Sequence, residues 1–295
     1  MRKERSIRDQ LIALGICDES SIEPYYPRVR DREDISVLRC RKSGVLFLSC
    51  SGHADVSFYR EQRGFSYWSS RDRQQALALT VADTARRKKW LQHAVANRNW
   101  LDVGTGAGGI LDAVAGLAAR VEAVEPQASV RESLAQAGYQ VYPDISGVRS
   151  SDFDIITLFH VFEHLTDPLA ELQTLRAKLA DNGRIVLEVP HANDVLLSLF
   201  DLESFKRFTF WSQHLILHTR ASLARYLEKA GFREIVIRGC QRYPLANHLH
   251  WLARHASGGH EKWDFLSTDE LDEAYGRMLA SIDRTDTLLA FATRA

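Results

Sequence analysis

Short apolar runs alternate with longer amphipathic stretches through most of the chain. The runs over 99–103, 120–125, 139–143, 153–159, 183–189 and 233–238 predict strands. Apolar positions recur at helical spacing over 108–118, 128–137, 167–180 and 220–230 and predict helices between them. Such alternation implies parallel strands joined by right-handed crossovers. A last apolar run over 287–293 predicts a closing strand in an antiparallel hairpin with 235–238. The intervening 242–286 is then an insertion, helical near 268–282. Residues 75–95 read as one helix with Leu77, Leu79, Val81, Ala82, Ala85 and Trp90 on its apolar side, packed on the sheet just before the first strand. Residues 1–75 stand outside the repeat. They predict a short helix over 6–14, a turn-rich piece with Pro24 and Pro27, and a strand pair over 36–39 and 45–48. The expected organisation is a cap over 1–75 and an α/β domain over 76–295.

The first strand of the repeat ends in an acid and runs into a glycine cluster, Asp102-Val103-Gly104-Thr105-Gly106-Ala107-Gly108-Gly109. A turn this tight needs positive φ, and a side chain there would hold a ligand away from the backbone amides. The first amides of the following helix lack partners inside it, so they face whatever occupies the crevice. The next strand ends at Glu125-Pro126. Glu125 lies twenty-one positions after Gly104, where a carboxylate can accept both hydroxyls of a ribose. Gly104, Gly106 and Gly109 also satisfy Gly-x-Gly-x-x-Gly, so a nicotinamide dinucleotide stays open. Asp102 leans the other way. A carboxylate at this turn repels a pyrophosphate and favours the ammonium and sulfonium of S-adenosylmethionine, directly or through water.

These residues, with the run from Phe153 to Pro168, resemble class I S-adenosylmethionine-dependent methyltransferases. The run is similar to the fourth strand and following loop of a branch that includes ubiquinone-biosynthesis O-methyltransferases and many small-molecule and sugar methyltransferases. The resemblance covers roughly 92–232. It implies a Rossmann-like α/β fold with a seven-stranded, mostly parallel sheet and an antiparallel last strand. It implies S-adenosyl-L-methionine as cofactor, held by Asp102, Gly104, Thr105, Gly106, Gly108, Glu125, Pro126 and Phe159. Asp144, at the end of the third strand, matches the family's carboxylate for the adenine amino group, with Ile145 on the ring; a simple turn aspartate is the other reading. Cys17-x-x-Ser20 and Cys40-x-x-Ser43-Gly44 each resemble half of a zinc-ribbon knuckle with its second cysteine replaced. Serine is a poor zinc ligand, so a metal-free relic is expected, with unrelated free cysteines as the alternative.

Formal net charge is zero, from 38 basic and 38 acidic side chains. That balance disfavours a nucleic-acid acceptor, whose phosphates call for a basic face. The cluster Arg86-Arg87-Lys88-Lys89 reads as a solvated helix face. No apolar run of about 18 residues is present, so no membrane span is expected. Four scattered cysteines give no disulfide framework and fit a reducing cytoplasm.

His160-Val161-Phe162-Glu163-His164 has the spacing of a zinc-peptidase signature, but it directly follows a strand and leads to the helix start Asp167-Pro168. In the ubiquinone enzymes a Glu-x-x-Glu-His run is associated with a divalent metal. Here His160 replaces the first glutamate, and no metal is expected. His160, His191 and His214 fall at crevice positions and are the candidate catalytic bases; Glu163 and His164 are expected to tie the loop. The aromatic residues Tyr25, Tyr26, Tyr59, Phe65, Tyr67 and Trp68 of the cap are candidates for a substrate-pocket lining, half of them ordinary packing. Tyr243, Asn247, His248, His250 and His260 extend the polar set into the insertion. The expected reaction is in-line methyl transfer to a small polar acceptor, a sugar or nucleotide-sugar of surface-polysaccharide or secondary metabolism, with a histidine base. A quinone or phenolic acceptor is the nearest alternative. A nicotinamide oxidoreductase and a cofactor-binding protein without turnover are the alternatives of other classes.

Overall fold

The computed structural model describes residues 6–54 and 70–294. Tyr59, Phe65, Tyr67 and Trp68 lie outside these.

The chain builds two sheets. Near the N-terminus, β1 (Ile22–Tyr26), β2 (Val37–Cys40) and β3 (Leu46–Leu48) pair antiparallel, and β3 takes a fourth strand from far along the chain, β9 (Ile216–Leu217). The large sheet contains β4 (Asn99–Val103), β5 (Arg120–Val124), β6 (Val141–Tyr142), β7 (Phe153–Phe159), β8 (Leu179–Pro190), β10 (Phe232–Cys240) and β11 (Thr287–Arg294). Its order is β10-β11-β8-β7-β4-β5-β6. The strands from β6 to β8 are parallel, and β11 runs antiparallel between β8 and β10. This is the seven-stranded sheet with an antiparallel last strand expected from the sequence. The strand order reverses between β4 and β7, so the crevice at their carboxyl ends is the natural ligand position.

Side-chain alternation divides the large sheet into two faces. Leu101, Val103, Ile156, Leu158, Ile185 and Leu187 join one core cluster, which also holds Ile7, Leu11, Val37 and Phe47 from the cap and Ile216 from β9. Cap and sheet therefore share a continuous apolar core. Trp100, Ile155 and Val186 turn to the other face, against Leu91 and Val95 of the helix Val81–Val95. Asp102, Thr157 and Glu188 belong to this second face by the same two-residue period. Polar groups on a buried face need partners. Trp100 Nε1 donates to Thr157 Oγ1 at 2.8 Å, and Thr157 Oγ1 donates to Asp102 Oδ1 at 2.6 Å.

Four elements differ from the sequence expectation, the first being β1, a strand over Ile22–Tyr26 where the sequence reads as a turn-rich piece around Pro24. The helix over 75–95 is two helices, Arg73–Leu79 and Val81–Val95. Thr80 separates them, its hydroxyl donating back to the Ala76 and Leu77 carbonyls; such side-chain bonds compete with the helix ladder. Leu79, Val81, Ala82 and Ala85, all expected on the apolar side, are exposed. Strand β8 begins at Leu179, which pairs with Phe153, so 181–183 form an irregularity inside the strand. The third strand shrinks to two residues. The insertion carries Leu245–Arg254 and the expected Asp269–Ser281. The short helices Val195–Ser198 and Glu203–Thr209 and the strand β9 carry too few residues for a periodic signal.

Candidate active site

The glycine turn is fixed by sterics. Gly104 has φ +72°, and a Cβ there would stand 2.3 Å from Val161 Cγ2. Gly108 caps the next helix at φ +79°, where a Cβ would stand 2.4 Å from Leu134 Cδ2. Neither position accepts a side chain without the neighbour moving. Gly104 and Thr105 amides donate to the Val124 carbonyl at 2.7 and 3.1 Å, which folds the turn over the end of β5.

Two buried acids face this turn. Asp102 is 1% exposed. Burial pushes its pKa up to about 6, against the pull of the Thr157 hydroxyl. Glu125 is also buried, which pushes it up to about 7 although two backbone amides hold it. Gly106 N–H donates to its Oε2 and Gln127 N–H to its Oε1, each at 2.9 Å. Neither acid has a cationic side chain within ion-pair distance among the described residues. Asp102, Gly104, Thr105 and Phe159 line one cleft, together with Thr80, Thr84 and Arg87. Gly106, Glu125 and Pro126 adjoin it through the Gly106–Glu125 bond. Asp144 spends one oxygen on a cap, Oδ1 accepting from the Gly147 amide at 3.0 Å and the Ser146 hydroxyl at 2.5 Å. Ile145 is buried in the core.

Beyond the turn stands a network of buried charges. Glu188, fully buried on β8, receives Arg86 and Arg87 from the helix Val81–Val95. Burial would raise its pKa, but the Arg87 charge and the His160 contact hold it well below the ordinary range. Asp83 joins Arg86 at 3.0 Å and Arg242 of the post-β10 segment through Nε at 2.8 Å and through Nη2. Arg86 and Arg87 are thus not the solvated face expected from the sequence; only Lys88 and Lys89 of that cluster are exposed.

Of the three candidate histidines, His160 connects to the cleft. It follows β7 at φ +55°, a conformation uncommon outside glycine and asparagine. Its amide donates to the Glu188 carbonyl at 2.8 Å. Its Nδ1 lies 3.2 Å from Glu163 Oε1, and its Nε2 lies 3.3 Å from Glu188 Oε1 in an ion-pair contact without hydrogen-bond geometry. Burial would lower the His160 pKa, yet the two glutamates outweigh it and raise it. Glu163 is fully buried, which would raise its pKa, but the bond to His160 and the His164 charge hold it at about 2. His214 belongs to the same cluster; burial, reinforced by the His164 charge, lowers its pKa to about 3. His191 stands apart. Its Nδ1 donates to the Thr285 carbonyl at 2.9 Å, its Nε2 is 3.8 Å from Asp283, and burial lowers its pKa to about 4.

Glu163, His164 and His214 bring one donor atom each to within 4.8 Å. Glu163 Oε1 and His164 Nε2 are 3.9 Å apart, wider than the roughly 3.3 Å between donors about 2.0 Å from a tetrahedral ion. Glu163 Oε1 faces His160, and His164 Nδ1 donates to the Gln213 carbonyl at 2.7 Å. The cluster ties the loop after β7 to the segment before β9. In the cap, Cys40 Sγ sits 3.3 Å from Ser21 Oγ and 3.5 Å from the Ser43 amide. Ser21, rather than Ser20, joins Ser43 beside the cysteines. Tyr25 and Tyr26 pack on Phe210, at 6.0 and 5.4 Å between ring centroids.

The sheet, its switch-point crevice and the glycine turn with two buried acids define a Rossmann-like class I methyltransferase. The chain belongs to the family described as a methyltransferase domain, which matches residues 61–236, and its cofactor is S-adenosylmethionine. The fold is similar to an S-adenosylmethionine-dependent methyltransferase from Archaeoglobus fulgidus (TM-score 0.51, 18% identity, 75% of this chain and 94% of that one). It is also similar to a possible histamine N-methyltransferase from Thermotoga maritima (TM-score 0.50, 13% identity, 75% and 94%). No curated protein matches the chain in sequence. Among the described residues, no helix is long and apolar enough to cross a membrane.

Arg87 and Glu188 are the site residues that sequence reasoning missed. A signal existed for Glu188: an acid inside the apolar run Ile185-Val186-Leu187-Glu188-Val189 of a strand buried on both faces needs a cationic partner.

Proposed function

We propose that the enzyme methylates a hydroxyl of a small polar acceptor, of the sugar or nucleotide-sugar kind, with His160 as the base. The observation that carries this reading is the position of His160, at the carboxyl end of β7 beside the cofactor turn, between two buried glutamates. The next residue, Val161, packs on Gly104, which supports a role for His160 beside the glycine turn. The sulfonium supplies an activated methyl group. His160 takes the hydroxyl proton as the new O–C bond forms and the C–S bond breaks, its Nε2 leaving the Glu188 carboxylate that it faces in the empty cleft. Glu163 orients the ring through Nδ1 and stabilises the imidazolium that results. Proximity does much of the rest. Arg87 lines the cleft, backed by the paired charges of Arg86, Arg242, Asp83 and Glu188, which suits a hydroxyl-rich acceptor better than a greasy quinone.

The test is release of S-adenosylhomocysteine with a panel of sugars and nucleotide-sugars against phenols and quinols. Turnover with the first group is expected. His160→Asn should lower kcat by about 10²–10⁴-fold with cofactor binding intact, while His191→Asn stays near the wild-type rate. Because the His160 pKa is raised, its neutral form grows as pH rises. The acid limb of kcat is therefore expected above the ordinary histidine value of about 6.5, and Glu163→Gln should move it to lower pH. Activity on phenols alone, or full activity of His160→Asn, would overturn the reading.

A further inference from the structure

An open cavity of about 310 Å³ lies between the cap and the helix Glu203–Thr209 and shares no wall residue with the cleft at the glycine turn. Arg28, Arg30, Arg32 and Arg207 line it, against Asp31 and Glu33. The hairpin that carries the first three arginines is fixed through its backbone. Val29 and Arg32 exchange amide-to-carbonyl bonds of 3.2 and 3.4 Å, which leaves Arg30 and Asp31 as a two-residue turn. The Arg30 amide donates to the Phe210 carbonyl. Ser212 occupies both Asp31 oxygens, its amide donating at 3.0 Å and its hydroxyl at 2.6 Å.

Three of the four arginines have acids. Arg28 has Glu33 at 2.6 Å, Arg32 has Asp34 at 2.5 Å and Arg207 has Glu203 at 3.5 Å. These pairs lie in solvent, with Glu33 84% and Asp34 65% exposed, so they hold their arginines weakly. Arg30 differs: among the described residues no carboxylate oxygen lies within 4 Å of its guanidinium. Its one side-chain bond there runs from Nη1 to the Phe208 carbonyl at 3.1 Å. Its guanidinium carbon lies 4.9 Å from the Trp211 ring centroid and 5.7 Å from that of Phe208. Nε and Nη2 are left unspent on a guanidinium positioned by two rings.

The donors define the ligand. A guanidinium fork takes a carboxylate or a phosphate. Two further arginines, in labile pairs on the same fixed hairpin, exceed what one carboxylate needs and match the charge and the several oxygens of a phosphate. The volume is near the lower end of the roughly 300–1,000 Å³ of small-molecule sites and admits a phosphate ester as well as the bare ion. We propose that this cavity binds a phosphate-bearing small molecule, with Arg30 as the anchor and Arg28 and Arg32 turning in from their exposed acids. This site stands apart from the cofactor cleft and does not depend on the acceptor assigned to His160.

Calorimetric titration with pyrophosphate and with uridine diphosphate, at fixed ionic strength, tests it. Both should bind the wild type, and Arg30→Gln should weaken both roughly 10–100-fold. Arg277→Gln, which removes another exposed charge from the helix Asp269–Ser281, should bind as the wild type does. A wild-type unfolding temperature shows that each variant is folded. Should Arg30→Gln fail that check, Arg30→Lys keeps the charge without the fork and should still weaken binding several-fold. Tighter binding of the nucleotide assigns the site to a phosphate ester, and equal or tighter binding of pyrophosphate to the free ion. No binding of either compound by the wild type, or an equal loss in the Arg30 and Arg277 variants, would overturn the site.

Discussion

The two halves of the crevice handle buried acids in opposite ways. On the side of the glycine turn, Asp102 and Glu125 meet only hydroxyl and amide donors among the described residues, so burial wins and both pKa values rise. On the far side, Glu188 and Glu163 meet guanidinium and imidazole groups, so charge wins and both values fall. The first half is electrostatically incomplete until a cation arrives. The second half is already neutralised by the chain itself. Acids on one sheet can shift in opposite directions because they are partnered differently.

The largest test of this contrast is stability. Glu188→Ala removes the shared acid of Arg86 and Arg87 and should cost about 3–5 kcal/mol in denaturant unfolding. Asp102→Asn should do the reverse in the empty protein. A carboxyl whose folded pKa is raised to about 6 costs the fold stability as pH rises through that value, roughly 2–3 kcal/mol at pH 8. The amide avoids that cost while still accepting from Thr157, so the variant should unfold no more easily than wild type. A destabilised Asp102→Asn beside an unaffected Glu188→Ala would break the contrast.

Cofactor affinity sharpens it further. The proposed placing of the cofactor's ammonium beside Asp102 and of its ribose at Glu125 requires both acids ionised. Their raised values, about 6 and about 7, place the loss of affinity as pH falls from 7.5 to 5.5. Calorimetry across that range should show it, and Asp102→Asn should bind weakly with a flatter profile. The smallest effect belongs to Thr157→Val, which removes the hydroxyl linking Trp100 to Asp102. About 1 kcal/mol of stability should be lost, with the affinity transition moved to higher pH.

What could be read from the sequence follows the same division. The cofactor half is local: a strand, a glycine turn and the next strand's terminal acid lie within 24 residues, from Asp102 to Glu125, and each carries its own signal. The other half is assembled from distant segments, with Asp83, Arg86 and Arg87 on one helix, Glu188 on β8 and Arg242 after β10. Arg86 and Arg87 look like Lys88 and Lys89 in a basic run, and only the helix's rotation against the sheet buries the first two. His160 stands out in the sequence because it ends a strand, and its role as the base is a proposal. His191 has the same credential but turns to the loop before β11, whose position depends on the insertion. The helix break at Thr80 was hidden because Leu79 and Val81 continue the apolar pattern on both sides.

The pairing of β3 with β9 has a consequence for the order in which the chain matures on the ribosome. Phe47 bonds in register with Ile216, Gln10 Nε2 donates to the Thr166 carbonyl, and the Arg30 amide donates to the Phe210 carbonyl at 2.8 Å. The first fifty residues emerge long before these partners exist. With domains growing at about 5–20 residues per second, the cap waits on the order of ten seconds or more for its fourth strand, and its apolar side chains stay uncovered until then. The N-terminal segment is made first and docks late, so the nascent chain is most exposed to misassociation while the central sheet is still being synthesised.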